Sequence, residues 1–301
     1  MDHRTKVDWY AGRTRTPPAE VVAALQPMFG PEGKWLHLKQ KSSGWQGYAA
    51  SAEVRIADVP IGLAAWGGAQ QREWMYFSVS GTGCDYVRDW DVAQECFDQL
   101  QQWEPRRVDI ALDTFKRETG YEAMKAAYAA GGFVTQGRPP RARFNDCSDP
   151  LVSRKVTIGE RTGDKYTRGY EKGLQLAQGR TEIDGIPVED WFRTELELKA
   201  KSGPLPADII DRRDQYFAGA YPYLQQLLSD VEPEILIQTR ERVPQLFLQD
   251  QLNHVRRMFG STLFTALQCY GGDYLAVWDR VVGDKHSAQL LAAGVLMVEH
   301  S

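Results

Sequence analysis

From Lys34 to Val79 apolar and polar residues alternate in short runs separated by glycine-rich or polar turns. A period of two marks half-buried strands, because successive side chains point to opposite faces. Trp35 to Leu38, Gly47 to Ile56, Ile61 to Trp66 and Trp74 to Val79 are the predicted strands. Ahead of them, Thr16-Pro17-Pro18-Ala19-Glu20 predicts a helix with Thr16 as its cap and Pro17 in its first turn, running to Phe29. Ser80-Gly81-Thr82-Gly83-Cys84 breaks the sheet, and Asp91 to Trp103 reads as an amphipathic helix. Arg107 to Phe115 is a strong strand, followed by a helix over Tyr121 to Ala130. Residues 135–150, rich in Gly, Pro, Arg and Asp, predict a mobile loop. Leu151 to Gly159 and Lys165 to Lys172 are predicted strands joined by a turn over Glu160 to Asp164, and Asp190 to Lys201 is another.

Gly203-Pro204 reads as a boundary. The spacing beyond it is helical, notably over Gln245 to Met258 and Ser287 to Val298. The expected class is therefore α+β: an antiparallel-rich domain over 1–202 with helices packed on one side, and a helical C-terminal region over 203–301. The aromatic-rich segment Phe264 to Trp278, with Arg256-Arg257 before it, suits packing in a helical bundle, homodimerisation or contact with a host helicase.

Strand parity sorts the charged residues. In the segment from Arg107 to Asp113, Val108, Ile110 and Leu112 form an apolar face, and Arg107, Asp109 and Asp113 lie opposite with Ala111. In the segment from Trp191 to Lys199, Phe192, Thr194, Leu196 and Leu198 share one side; Arg193, Glu195, Glu197 and Lys199 share the other. If the two strands lie close in one sheet, Asp109, Asp113, Glu195 and Glu197 gather on one surface. Such a cluster needs counter-charge, from a hard divalent cation such as Mg2+ or Mn2+ or from Arg107 and Arg193 in ordinary ion pairs. The strand around Tyr170 places Tyr166, Arg168, Tyr170 and Lys172 on one face. A phenol beside cations is suited to attack on a phosphodiester, since positive charge lowers its pKa and stabilises the transition state. A surface strand with Tyr and Arg in cross-strand pairs has the same pattern.

Composition narrows the class without choosing the chemistry. The apolar share of 43% and charged share of 25% are those of a globular chain, and no apolar run is long enough to span a membrane. Met1-Asp2-His3-Arg4 runs directly into polar residues, so the expected location is the cytoplasm. Cys84, Cys96, Cys147 and Cys269 form no CxxC pair, which argues against a zinc ribbon or a disulfide framework. The net charge of −4 does not advertise nucleic acid, but residues 138–172 carry nine Lys and Arg against five Asp and Glu. A local stripe of this kind suffices to hold phosphates, because screening limits the reach of distant charges.

Three segments occur in order: the strand from Arg107 to Asp113, then Gly159-Glu160-Arg161 leading to Arg168-Gly169-Tyr170-Glu171-Lys172, then the strand from Trp191 to Lys199. The set resembles the signature of the replication initiation factor family, the Rep-trans type, which contains rolling-circle initiators of plasmids and filamentous phages and relaxases of some conjugative elements. Val7-Asp8-Trp9-Tyr10 and Ser80-Gly81-Thr82-Gly83-Cys84 look like its phage branch. The resemblance covers about residues 7–201. It implies a divergent nicking-enzyme fold, a DNA nickase and strand-joining enzyme, a 5′-phosphotyrosine intermediate, and a divalent metal held by acidic residues.

By position Tyr170 matches the nucleophile, with Arg168 and Lys172 on the scissile phosphate and Tyr166 as a candidate second nucleophile. Asp109, Asp113, Glu195 and Glu197 match the acidic positions. Arg107, Arg138, Arg141, Arg143, Arg161, Lys165 and Arg193 are the cations expected on DNA. The implied partner is origin DNA, single-stranded or cruciform, with a free 3′-OH left for a host polymerase. Gly169 departs from the bulky residue common at its position, which predicts a bulge beside Tyr170. The five histidines are scattered, so the two-histidine metal motif of other nicking enzymes is absent. A conjugative relaxase, or a DNA-binding regulator on the same scaffold, fits the same residues.

Overall fold

The computed structural model describes residues 3–115, 119–135, 137–146, 152–236 and 244–286. The chain divides into two compact units, 1–238 and 239–301.

The first unit is built on one ten-stranded antiparallel sheet. Its strands are β1 (Lys6–Thr14), β2 (Leu36–Gln40), β3 (Ala50–Ile56), β4 (Val59–Trp66), β5 (Met75–Ser80), β6 (Glu104–Thr114), β7 (Ala142–Asn145), β8 (Lys155–Gly159) and β9 (Lys165–Tyr170). A separate two-stranded hairpin, β10 (Glu182–Ile183) and β11 (Ile186–Pro187), precedes the last strand, β12 (Phe192–Lys199). The order across the sheet is β2-β3-β4-β5-β1-β6-β12-β9-β8-β7. Helices α1 (Pro18–Leu25), α2 (Gly81–Cys84), α3 (Trp90–Asp98), α4 (Tyr121–Ala129), α5 (Lys172–Leu176), α6 (Arg213–Ala220) and α7 (Pro222–Leu227) complete the unit.

One face of the sheet is the core. Tyr10, Val54, Phe77, Val79, Val108, Ile110, Leu196, Leu198, Val156 and Ile158 lie in one buried cluster with residues of α1, α3, α4, α6 and α7. Burying a side chain of this kind stabilises by about 1.5–3 kcal/mol, so alternate positions along the strands are committed to that side. Leu205, Ile209, Ile210, Phe217, Leu224 and Leu228 belong to the same cluster. The first unit therefore continues well past Gly203-Pro204, which by its turn signal reads as a boundary. The Asp214 carboxylate at the start of α6 accepts hydrogen bonds from the Arg4 and Thr5 amides, both 2.9 Å, which ties α6 to the beginning of β1.

Several local expectations change in the folded chain. Thr16 does not cap α1: its hydroxyl accepts a 2.7 Å hydrogen bond from the Gln101 amide, and Pro17 occupies the cap position without a side-chain bond. Strand β1 escapes simple alternation because its register against β6 shifts between Val7 and Trp9 and again between Ala11 and Gly12. A bulge inserts one residue and reverses the parity that a pattern search follows. Within the expected loop over 135–150, residues Ala142–Asn145 form the edge strand β7; residues 147–151, Cys147 among them, lie outside the described residues. The strand after Gly163 ends at Tyr170, so Lys172 opens α5 instead of continuing the strand.

Gly169 marks no bulge, since β9 pairs with β12 in unbroken register from Lys165 to Tyr170. A Cβ at Gly169 would lie 2.2 Å from the Met124 sulfur and 2.8 Å from the Phe192 ring. The glycine is there so that α4 and Phe192 can press against the strand.

The second unit contains α8 (Pro244–Cys269) and α9 (Tyr274–Val281), joined through Gly271 and Gly272 at φ 62° and 87°. Asp273 caps α9 by accepting from the Ala276 amide at 3.0 Å. Phe264, Tyr274 and Trp278 remain exposed, against the expectation of a packed bundle. Residues 287–298, read as a further helix, lie outside the described residues. No helix among the described residues is long and apolar enough to cross a membrane.

Candidate active site

Cross-strand partners share a face, so the register assembles the site on the side of the sheet opposite the core. Arg193, Glu195, Glu197 and Lys199 of β12 stand beside Asp113, Ala111, Asp109 and Arg107 of β6. On the other flank Arg193, Glu195 and Glu197 pair with Tyr170, Arg168 and Tyr166 of β9. Lys155 and Thr157 of β8 come next, opposite Tyr170 and Arg168. Four adjacent strands thus present phenols, carboxylates and cations in one plane.

Asp109, Glu195 and Glu197 are each only 2% exposed. Charges buried this deeply need partners, and cations supply them. Arg107 grips both oxygens of Asp109 at 2.8 and 2.7 Å and reaches Glu197 at 2.8 Å. Arg168 pairs with Glu195 and lies 3.6 Å from Asp109, while Lys199 pairs with Glu197. Burial nevertheless raises the Asp109 carboxyl above its ordinary range, with Arg107 only partly offsetting it. Three acids and three cations balance on this patch.

Asp113 belongs to a second network. Its oxygens accept from Arg193 at 2.7 and 2.8 Å, from Trp191 at 3.0 Å, and pair with Lys6 at 2.8 Å. Burial alone would raise this carboxyl, but the bonds and charge of Arg193, helped by Lys6 and Trp191, outweigh it and hold it down at about 2. Arg193 also reaches Asp8, the residue at the β1 bulge, at 3.2 Å.

Tyr170 donates a 2.5 Å hydrogen bond to Glu195. Burial first, then the Glu195 charge, push the phenol above its ordinary pKa. The folded site therefore holds a neutral phenol aimed at a carboxylate, and not the phenol with a cation-lowered pKa that adjacent positive charge would create. A cleft of about 250 Å3 opens beside it, lined by Asn145, Ser153, Lys155, Arg168, Tyr170 and Gln175. Burial, then repulsion from Arg168 and Arg161, depress the Lys155 ammonium. Two cations and a phenol converging on one cleft form a natural seat for a phosphate.

The other expected site residues are dispersed. Lys172 sits 5.7 Å over the Tyr170 ring and bonds Gln175 at 3.2 Å, close to the phenol though not on its strand. Tyr166 is buried, with Arg161 over its ring at 5.9 Å. Arg141 and Arg143 are exposed and both pair with Glu160, at 3.4 and 3.0 Å; Arg138 is exposed. Lys165 faces the helices: its ammonium donates to the Ala220 carbonyl at 3.1 Å and lies over the Tyr221 ring. Its parity is opposite to that of Tyr166, Arg168 and Tyr170, a signal already present in the sequence. The sequence marks Lys155 only as part of the basic stripe, although pairing the two strands across the turn at 160–164 sets it opposite Tyr170.

An α+β chain whose broad antiparallel sheet buries one face under helices and leaves polar chemistry on the other has a counterpart among solved structures. A rolling circle replication initiator protein from Geobacillus stearothermophilus matches with a TM-score of 0.55, over 78% of this chain and 99% of that one. Identity is 18%, so this likeness shows the fold. The sequence model of the Rep-trans family, the replication initiation factor, matches residues 105–268, more than half of the 301 residues. The chain belongs to that family. No curated protein matches it.

Proposed function

We propose that the chain nicks and rejoins one strand of origin DNA in rolling-circle replication, with Tyr170 as nucleophile. The observation that carries this reading is the Tyr170 hydroxyl bonded at 2.5 Å to buried Glu195 at the rim of a cationic cleft. The phenol oxygen forms a bond to phosphorus as the bond from phosphorus to the 3′-oxygen breaks. Glu195 accepts the phenol proton, so the raised pKa of Tyr170 matters less than the presence of a base in contact with it. The departing 3′-oxygen takes a proton from water and becomes a 3′-OH, leaving a 5′-phosphotyrosine. Arg168 and Lys155 neutralise the charge on the phosphate. Rejoining is the reverse, with Glu195 returning its proton to the phenol.

Among the described residues no three His, Cys, Asp or Glu side chains are gathered as a bound metal would hold them. The donor chemistry of Asp109, Glu195 and Glu197 nevertheless fits a hard divalent ion, being all carboxylate and sited at neighbouring register positions. Of these, Asp109 and Glu197 would hold Mg2+ or Mn2+ while Glu195 serves the phenol, and the ion would polarise the non-bridging phosphate oxygens. In the folded chain cations hold all four acids, Arg107 gripping both oxygens of Asp109 as Arg193 grips those of Asp113, so a bound ion would have to displace them.

The test is incubation with Mn2+ and a random-sequence pool of single-stranded oligonucleotides, followed by a denaturing gel. A covalent protein–DNA adduct is expected from the native chain and from Tyr166→Phe, and none from Tyr170→Phe. A full adduct from Tyr170→Phe overturns the assignment.

A further inference from the structure

The same open face continues across β6, β1 and β5, away from the carboxylates, and its character changes there. The hairpin tip between β2 and β3 is a two-residue turn, Gln46-Gly47, with both residues at positive φ, 43° and 88°. Trp45 and Tyr48 flank it and exchange both backbone hydrogen bonds, at 3.2 and 2.9 Å. This turn type matches the twist of paired strands and fixes its flanking residues tightly. The two rings stack at 6.5 Å, and Trp45 also packs on Tyr76 of β5 at 4.5 Å. All three rings are half-buried, each keeping part of its surface in solvent.

Guanidinium groups interleave with the aromatic rings. Arg13, opposite Tyr76 in register, lies 4.2 Å over Trp74, and Arg15 lies 5.2 Å over the same ring. Exposed Arg106 is the extra residue of β6 where its register against β1 shifts, beside Glu104 and Arg13. Nearer the carboxylates, Arg107 lies 4.7 Å over Trp9. Glu104 and Glu73 pair with Arg13 and Arg15, leaving Arg106 in excess. The patch thus holds partly exposed rings and three arginines against two carboxylates. The rings and arginines match unpaired bases, which stack on aromatic faces, and the phosphates between them, which need positive charge.

We propose that Trp45, Tyr48 and Tyr76, with Arg13 and Arg106, form a stacking platform for a single-stranded DNA segment flanking the scissile phosphate. The inference rests on the nicking reading in taking DNA as the partner and Tyr170 as the point of the cut. From the β9 level of Tyr170 to the β5 level of Tyr76 the sheet order and register give four strand spacings across, about 19 Å, and nine residues along, about 30 Å. The platform therefore holds bases several nucleotides from the cut.

The experiment measures binding of fluorescein-labelled oligodeoxythymidine, alongside an oligomer of equal length made of abasic nucleotides. The native chain should bind the thymidine oligomer at least tenfold more tightly than the abasic one, with quenching of tryptophan fluorescence. Trp45→Ala with Tyr76→Ala should erase that preference, and Trp45→Phe with Tyr76→Phe should restore it. Adduct formation by the native chain is scored on the separate denaturing gel, so loss of the platform and loss of the nucleophile are read separately. Equal binding of both oligomers by the native chain, or an undiminished preference in the double alanine variant, overturns the platform. Preserved binding with no adduct overturns only the nucleophile.

Discussion

Leu196 and Glu195 are neighbours on β12 and are equally hidden, 0% and 2% exposed, yet they lie in regions of opposite logic. Leu196 faces the helices, where burial itself stabilises. Glu195 faces the open side, where burial costs energy that must be offset by Arg168 and by the phenol of Tyr170. One face of the sheet holds the fold together. The other spends stability on holding charged groups close together, a trait that clusters at functional sites.

The comparison is sharpest at Glu195 itself. On the proposed mechanism Glu195→Gln keeps the shape and removes the proton acceptor, so the single-turnover nicking rate should fall by roughly 10²–10⁴, while oligonucleotide affinity changes little. A rate within threefold of native would show that the carboxylate only positions the phenol.

Leu196→Ala should do the converse. It removes buried methyl groups from the core, and urea denaturation should register a loss of about 2–5 kcal/mol, with the nicking rate of the folded fraction preserved. An unchanged unfolding midpoint would mean that the covered face is not the stabilising one.

Asp113 gives the smallest effect and the most specific. Its carboxyl is held at about 2 in the folded chain, against about 4 when unfolded. A depressed folded pKa stabilises at every pH above the unfolded value and is lost as pH falls through the folded one. Between about pH 4 and pH 2 the native chain should therefore lose roughly 2 kcal/mol from this group. The stability gap between the native chain and Asp113→Asn, measured by urea denaturation, should shrink across that window. A gap constant from pH 5 to pH 2 would show that Arg193 does not need the ionised acid.

The contrast between the faces also explains what could be read early. Period-two alternation is local, so the sorting of Val108, Ile110 and Leu112 from Asp109 and Asp113 followed from adjacent residues alone, as did that of Leu196 and Leu198 from Glu195 and Glu197. The outward orientation of Arg168 with Tyr170, and the inward one of Lys165, were available in the same way. The α+β class and the family resemblance were legible for the same reason, because each strand segment carries its own pattern.

Tertiary structure decided the neighbours. Nothing local places β12 between β6 and β9, aligns Glu195 with Arg168, or joins Lys6 and Asp8 of β1 to Asp113 and Arg193. Register between strands distant in sequence is set by the whole core packing at once. The β1 bulge, the close approach of Met124 and Phe192 to Gly169, and the turn of Lys172 into a helix all arise from that packing. The sequence alone determined which face the side chains of β6, β9 and β12 would take; only the assembled sheet, through long-range packing, determined which charges would meet.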